Sequence, residues 1–213
     1  MLPLMAVILL VRHAVADETG KRLYGRRRGV HLSEKGREQA EALADRLRHL
    51  RLAAVYSSPL ERCVETAEPS ARALGLDVRV DRALVETDAG RWTGRTFASI
   101  GRARAWRRIR FLPSMARFPG GEALVDVQHR TIGALTAIAE RHPRGVVAVF
   151  SHGDPIRTAL AYCAGAHLDH LQRFEVDAAS VSAVALSDGP PRVLRVNDTG
   201  TLADLVPPRT APH

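Results

Sequence analysis

Hydrophobic and polar positions change rhythm repeatedly along the chain, and each change predicts an element. Residues 5–11 form an unbroken aliphatic run, as a strand covered on both faces should. Ser33 is placed to cap a helix in which Ala40, Leu43, Ala44, Leu47 and Leu50 share one face. Residues 52–57 read as a second strand. Ser58 as N-cap and Pro59 at the first helical position then open the next helix, which Pro69 should kink or split and Gly75 should end. Residues 78–80 form a short strand leading to Glu86. A long helix over 125–141 stops before Pro143, a strand covers 146–150, and a helix follows over 155–164. Residues 181–186 and 192–196, split by Asp188-Gly189-Pro190-Pro191, read as two closing strands at the sheet edge. Residues 96–117 fit no core element and look like an inserted lid.

This alternation predicts the α/β class: a doubly wound, mostly parallel central sheet with helices on both faces. One domain over 1–205 accounts for the pattern, and the proline-rich tail over 206–213 is expected to be disordered. Two strand ends stand out. Arg12-His13 follows the first aliphatic run and His152 follows the run ending at Ser151. Ligands of such sheets bind beyond the carboxyl ends of the strands, so the two imidazoles can meet although they lie far apart in the chain.

The motifs around these residues carry a resemblance. Leu10-Val11-Arg12-His13-Ala14, Ser57-Ser58-Pro59-Leu60-Glu61-Arg62 with Thr66-Ala67, Glu86 followed by Gly90-Arg91-Trp92-Thr93-Gly94, Pro119-Gly120-Gly121-Glu122, and Ser151-His152-Gly153 stand in this order. Together they resemble the signature of the histidine phosphatase superfamily, with its phosphoglycerate mutase-like fold. The resemblance implies that His13 becomes phosphohistidine, that Arg12, Arg62 and His152 hold the phosphoryl group, and that Glu86 gives and takes the proton, with no metal or other cofactor. Gly153, Arg26 and Glu122 are further candidates for substrate contact, although Glu122 also suits capping of a helix starting near Gly121.

The residue types fit that chemistry on their own terms. Phosphoryl transfer needs a nucleophile, positive charge around the transferring oxygens and a proton for the leaving oxygen. A histidine with one ring nitrogen donating to the backbone can attack through the other. Guanidinium offers a planar fork of donors to phosphate oxygens, and a carboxyl group can serve as general acid and then base. The chain departs from the family pattern in three places. Ala14 replaces a glycine. Val15, Ala16 and Asp17-Glu18 stand where polar partners are usual. Asp154 follows Gly153 where a neutral residue is common, and it suits a helix N-cap before Pro155.

Composition adds little and excludes some classes. The chain has 213 residues, 46% of them hydrophobic and 25% charged, and a net charge of +8. An arginine-rich surface of this kind attracts anions such as phosphate esters. The basic runs 26–28 and 102–110 lack the interleaved aromatics of a base-stacking surface, Trp106 aside, so nucleic acid is not an expected partner. No stretch reaches the ~18 apolar residues of a membrane span. The N-terminal run lacks the flanks of a signal peptide, and a cytoplasmic location is expected. Cys63 and Cys163 are expected to be buried helix thiols. His167 and His170 alone do not make a metal site, and His31, His49, His129 and His142 read as surface residues. The expected activity is metal-independent hydrolysis of small phosphorylated metabolites, in a monomer or homodimer. The rival readings are a phosphomutase of the phosphoglycerate mutase type and a non-catalytic phosphate-binding regulatory module. Selectivity is expected from residues 96–117 and 21–28.

Overall fold

The computed structural model describes residues 5–17 and 19–200; the expected tail over 206–213 lies outside them. Six strands form one sheet: β1 (Ala6–Arg12), β2 (Leu52–Ser57), β3 (Val78–Val80), β4 (Val146–Ser151), β5 (Val181–Leu186) and β6 (Arg192–Asp198), in the spatial order β3-β2-β4-β1-β5-β6. The pairings β2–β3, β2–β4 and β1–β4 are parallel, whereas β5 and β6 add an antiparallel edge. The sheet is thus mostly parallel, as its continuous aliphatic strands require. Alternate side chains of β1 point to opposite faces, as the period of a strand dictates. Ile8 and Leu10 pack into one buried cluster with Leu135, Ile138 and Leu160, and Val7, Leu9 and Val11 into another with Leu43, Leu47 and Ala67. The helices α1 (Glu34–Leu47) and α2 (Glu61–Leu74) therefore cover one face, and α5 (Leu124–Arg141) and α6 (Gly153–Cys163) the other. Each fully buried aliphatic side chain contributes roughly 1.5–3 kcal/mol by leaving water.

Several local expectations hold and several do not. The Ser33 side chain accepts from the Gly36 amide at the start of α1. Gly75 closes α2 in the left-handed conformation, at φ 65°. Pro69 does not split α2, which runs unbroken past it; the prolyl ring is buried, so tertiary packing offsets the missing amide donor. Ser58 is not the cap of α2. The helix begins at Glu61 behind Leu60, and the Ser58 hydroxyl is turned inward to His152. Asp154 likewise lies inside the first turn of α6, whose N-cap is His152. Residues 96–117 carry two short helices that their irregular hydrophobic spacing conceals, α3 (Phe97–Ile100) and α4 (Arg104–Phe111). Ile109 and Trp106 anchor this segment in a satellite cluster with Phe118, Leu124, Leu168 and Leu171. The Ser114 amide pins it further to Asp169, at 2.9 Å.

Candidate active site

The sheet register brings the site together. In the parallel β1–β4 pair Arg12 stands opposite Ser151, so the next residues, His13 and His152, leave the sheet at the same level. The His13 amide continues the ladder by donating to Ser151 O, at 3.0 Å. On the other side of β4 the Ser58 amide donates to Phe150 O at 2.9 Å, which delivers the start of α2 and Arg62 to the same edge. Thr66, one turn beyond Arg62, accepts from the Ala14 amide at 3.0 Å and donates to Arg62 O at 2.6 Å, tying the loop after His13 to α2.

The His13 ring is buried and its Nδ1 lies 2.8 Å from Ala14 O. A carbonyl oxygen only accepts, so Nδ1 carries the proton and Nε2 keeps its lone pair. Burial, then the nearby Arg62 and Arg12 guanidinium groups, push the His13 pKa down to about 3, which keeps the ring neutral at ordinary pH. His152 is fully buried and packs edge-on against His13, with ring centroids 5.2 Å apart. Its Nε2 lies 2.8 Å from the Ser58 hydroxyl and 3.4 Å from Cys63 Sγ, and burial holds its pKa well below the usual value. Ser58 and Cys63, whose type alone gave no functional signal, thus support the second histidine.

A cavity of about 580 Å³ opens over His13. Arg12, Arg62, Glu86, Gly153 and Asp154 lie in its walls with His13; His152 does not, being tucked beside the His13 ring. Arg12 Nη1 donates to Val176 O at 2.6 Å, whereas its buried Nε has no hydrogen-bond partner among the described residues. Arg62 is fully buried and donates to Gly25 O (2.9 Å) and Arg27 O (3.4 Å), which fixes the guanidinium plane. Glu86 Oε1 accepts from the Thr87 amide at 2.8 Å. Burial, then the neighbouring Asp154 carboxylate, push the Glu86 pKa up to about 7 against the opposing pull of Arg62 and Arg12.

Arg26 and Glu122, two candidates for substrate contact, lie outside the cavity wall and pair with each other at 2.6 Å. Arg26 Nε and Arg130 Nη2 both donate to Glu86 O, at 3.0 and 3.2 Å. Glu122 holds Arg26, Arg130 and the Asp88 amide together. It does not cap α5, which begins behind Ala123 with no side-chain cap. These charges clamp the loop that carries Glu86. The outer cavity is lined by Arg22 and Tyr24 on one side, by Phe97, Trp106 and Arg110 of the 96–117 segment on another, and by Arg157 of α6. Among the described residues no three histidine, cysteine, aspartate or glutamate side chains cluster as metal ligands.

Comparison with known proteins places this geometry. The family model of the histidine phosphatase superfamily (branch 1) matches residues 8–199. A bifunctional protein of Mycobacterium tuberculosis is 39% identical over 198 residues, which are 92% of this chain and 54% of that protein. The chain therefore spans about half the length of the first curated relatives it matches. Phosphoserine phosphatase 1 of Hydrogenobacter thermophilus is 33% identical over 94% of this chain and 96% of its own length. The solved structure of a mycobacterial glucosyl-3-phosphoglycerate phosphatase superposes with a TM-score of 0.83 at 27% identity, covering 92% of this chain and all of that one.

Proposed function

We propose that this chain, which belongs to the histidine phosphatase superfamily (branch 1), hydrolyses small phosphorylated metabolites through a phosphohistidine intermediate on His13. The observation that carries the reading is the His13 tautomer: Nδ1 is committed to Ala14 O, so Nε2 is the free nucleophile at the cavity floor. Nε2 attacks phosphorus, the phosphorus–ester oxygen bond breaks, and Glu86 gives its proton to the leaving alkoxide. A water then attacks the phosphohistidine, Glu86 takes its proton, and the phosphorus–nitrogen bond breaks to return neutral His13. Arg12 and Arg62 hold the non-bridging oxygens, the unpartnered Arg12 Nε gaining an acceptor. Gly153 lines the cavity beside Arg12, and His152 keeps the His13 ring in register by its edge contact.

The outer cavity narrows the substrate class. Beyond Arg12 and Arg62, which serve the phosphoryl oxygens, Arg110 and Arg157 also line it. These two guanidinium groups suit an anion at the far end of the substrate, so we expect the preferred ester to carry a second anionic group. Relatives named for phosphoserine and glucosyl-3-phosphoglycerate make those two esters the first to test. The test is phosphate release from a panel containing both, 3-phosphoglycerate, neutral sugar phosphates and 4-nitrophenyl phosphate. The anionic esters should show kcat/KM at least tenfold above the neutral ones, and Arg110→Ala should erase that advantage. Absence of phosphate release from every ester would overturn the hydrolase reading. Interconversion of 2- and 3-phosphoglycerate, primed by a trace of the bisphosphate and faster than phosphate release, would establish the mutase instead.

A further inference from the structure

We propose that Asp154 is a positioning residue for the general acid: it and Glu86 form a carboxylate pair, bridged by Thr87, that holds one proton over the ester oxygen, and the inference rests on the reading of Glu86 as that acid. The bridge is a single residue with two donors. The Thr87 amide donates to Glu86 Oε1 at 2.8 Å, and the Thr87 hydroxyl donates to Asp154 Oδ2 at 3.4 Å. Thr87 is itself buried, and both carboxylates open onto the cavity floor beside His13. Two carboxylates that share one buried bridging residue in a partly desolvated site cannot both ionise freely, and the proton goes to the member with the poorer support for its charge.

The surroundings decide which member that is. Asp154 sits in the first turn of α6, where the helix amides favour an anion. Arg157, one turn on, brings Nη1 to 4.0 Å from Asp154 Oδ1. Arg12 and His13 face the pair from the end of β1 and Arg62 faces it from α2. Arg26 and Arg130 spend their donors on the Glu86 carbonyl and on Glu122 rather than on the Glu86 carboxylate. Among the described residues, the Thr87 amide is the one hydrogen-bond donor to the Glu86 carboxylate. Burial raises both carboxyl groups, but Arg157 and Arg12 pull Asp154 back, whereas burial and then the Asp154 charge push Glu86 up to about 7, so Asp154 keeps its charge and Glu86 keeps the proton. A carboxyl group protonated near neutrality is what an ester with a poor leaving group needs. The sequence feature behind this is Asp154 itself, two residues after His152 and in the first turn of α6.

The experiment compares pH profiles of the whole chain and of Asp154→Asn, Thr87→Val and Glu86→Gln on an alkyl phosphate and on 4-nitrophenyl phosphate. In the parent, kcat on the alkyl ester should fall as pH rises through about 7, where Glu86 loses its proton. Asp154→Asn removes the charge that holds the proton on, so that fall should move down by about one pH unit or more. Thr87→Val keeps the amide to Glu86 but removes the donor to Asp154, and it should move the fall the same way by less. The nitrophenyl profile, whose leaving oxygen barely needs a proton, should not follow either shift. A uniform loss of kcat on both esters at every pH, with the fall unmoved in both variants, overturns the proposal and leaves Asp154 a structural residue. Glu86→Gln separates the underlying reading. It should abolish the fall on the alkyl ester, and if the fall persists with equal losses on both esters, Glu86 is not the acid and the pair has no catalytic role.

Discussion

At the scale of single residues, the site works by holding groups in the charge state that chemistry needs. His13 is neutral because burial and two guanidinium groups oppose its protonation, and its lone pair is directed by the bond to Ala14 O. His13→Ala should therefore reduce phosphate release by at least about 10⁴-fold, since covalent catalysis is lost. The same depression has a stability consequence. The folded His13 pKa lies below its ordinary value of 6.5, so as pH falls from 6.5 toward 3 the unfolded chain takes up a proton that the folded chain refuses. That residue's contribution then worsens by about 1.4 kcal/mol per pH unit across the window. His13→Asn should gain on the parent in urea unfolding as pH is lowered from 7 to 5, and a constant difference between the two would contradict the buried neutral ring. Glu86→Gln should slow esters with poor leaving groups about 10²–10⁴-fold more than the nitrophenyl ester. Comparable losses on the two would refute the acid role.

At the scale of elements, rigid loops deliver these residues. The loop carrying Glu86 is pressed against the Pro119-Gly120-Gly121 turn so closely that a Cβ on Gly121 would stand 2.1 Å from Asp88 O. Gly121→Ala should cost about 1–3 kcal/mol by overpacking and should lower kcat by displacing Glu86, measurable as paired losses in melting temperature and turnover. Much of this architecture was legible in the chain. The aliphatic strands announced themselves because a sheet buried on both faces tolerates little else, and Arg12-His13 and His152 fell at their ends. The capping of α2 is not legible in the chain because Ser58 offers the same hydroxyl to a helix amide and to a buried imidazole, and only the adjacency of β2 and β4 decides between them. The clamp of Glu122, Arg26 and Arg130 was invisible because long-range ion pairs leave no periodic trace. The helix α4 leaves no clear pattern because half of its eight residues are arginine, and its inward side chains Trp106 and Ile109 are too few to mark a face.

At the scale of the whole molecule, the mostly parallel sheet gathers cations at one edge. The chain carries a net +8, and five guanidinium groups line the cavity. Arginines supply the electrophilic stabilisation in the proposed mechanism, so chelators should leave the rate unchanged while vanadate inhibits by adopting the five-coordinate geometry of the transition state. Activity lost on chelation and restored by one divalent metal would assign that role elsewhere. Association with anionic substrates should also weaken as salt rises, because exposed cations steer within a Debye length of about 10 Å at 0.1 M. The central claim is the covalent intermediate, and it is tested most directly by trapping. The chain is mixed with ³²P-labelled ester, quenched in alkali within the first turnover, digested and mapped. The account predicts label on the peptide containing His13, stable in alkali, labile in acid and missing from His13→Ala. Label absent from the parent throughout turnover, together with phosphate release by His13→Ala at the parental rate, would contradict it.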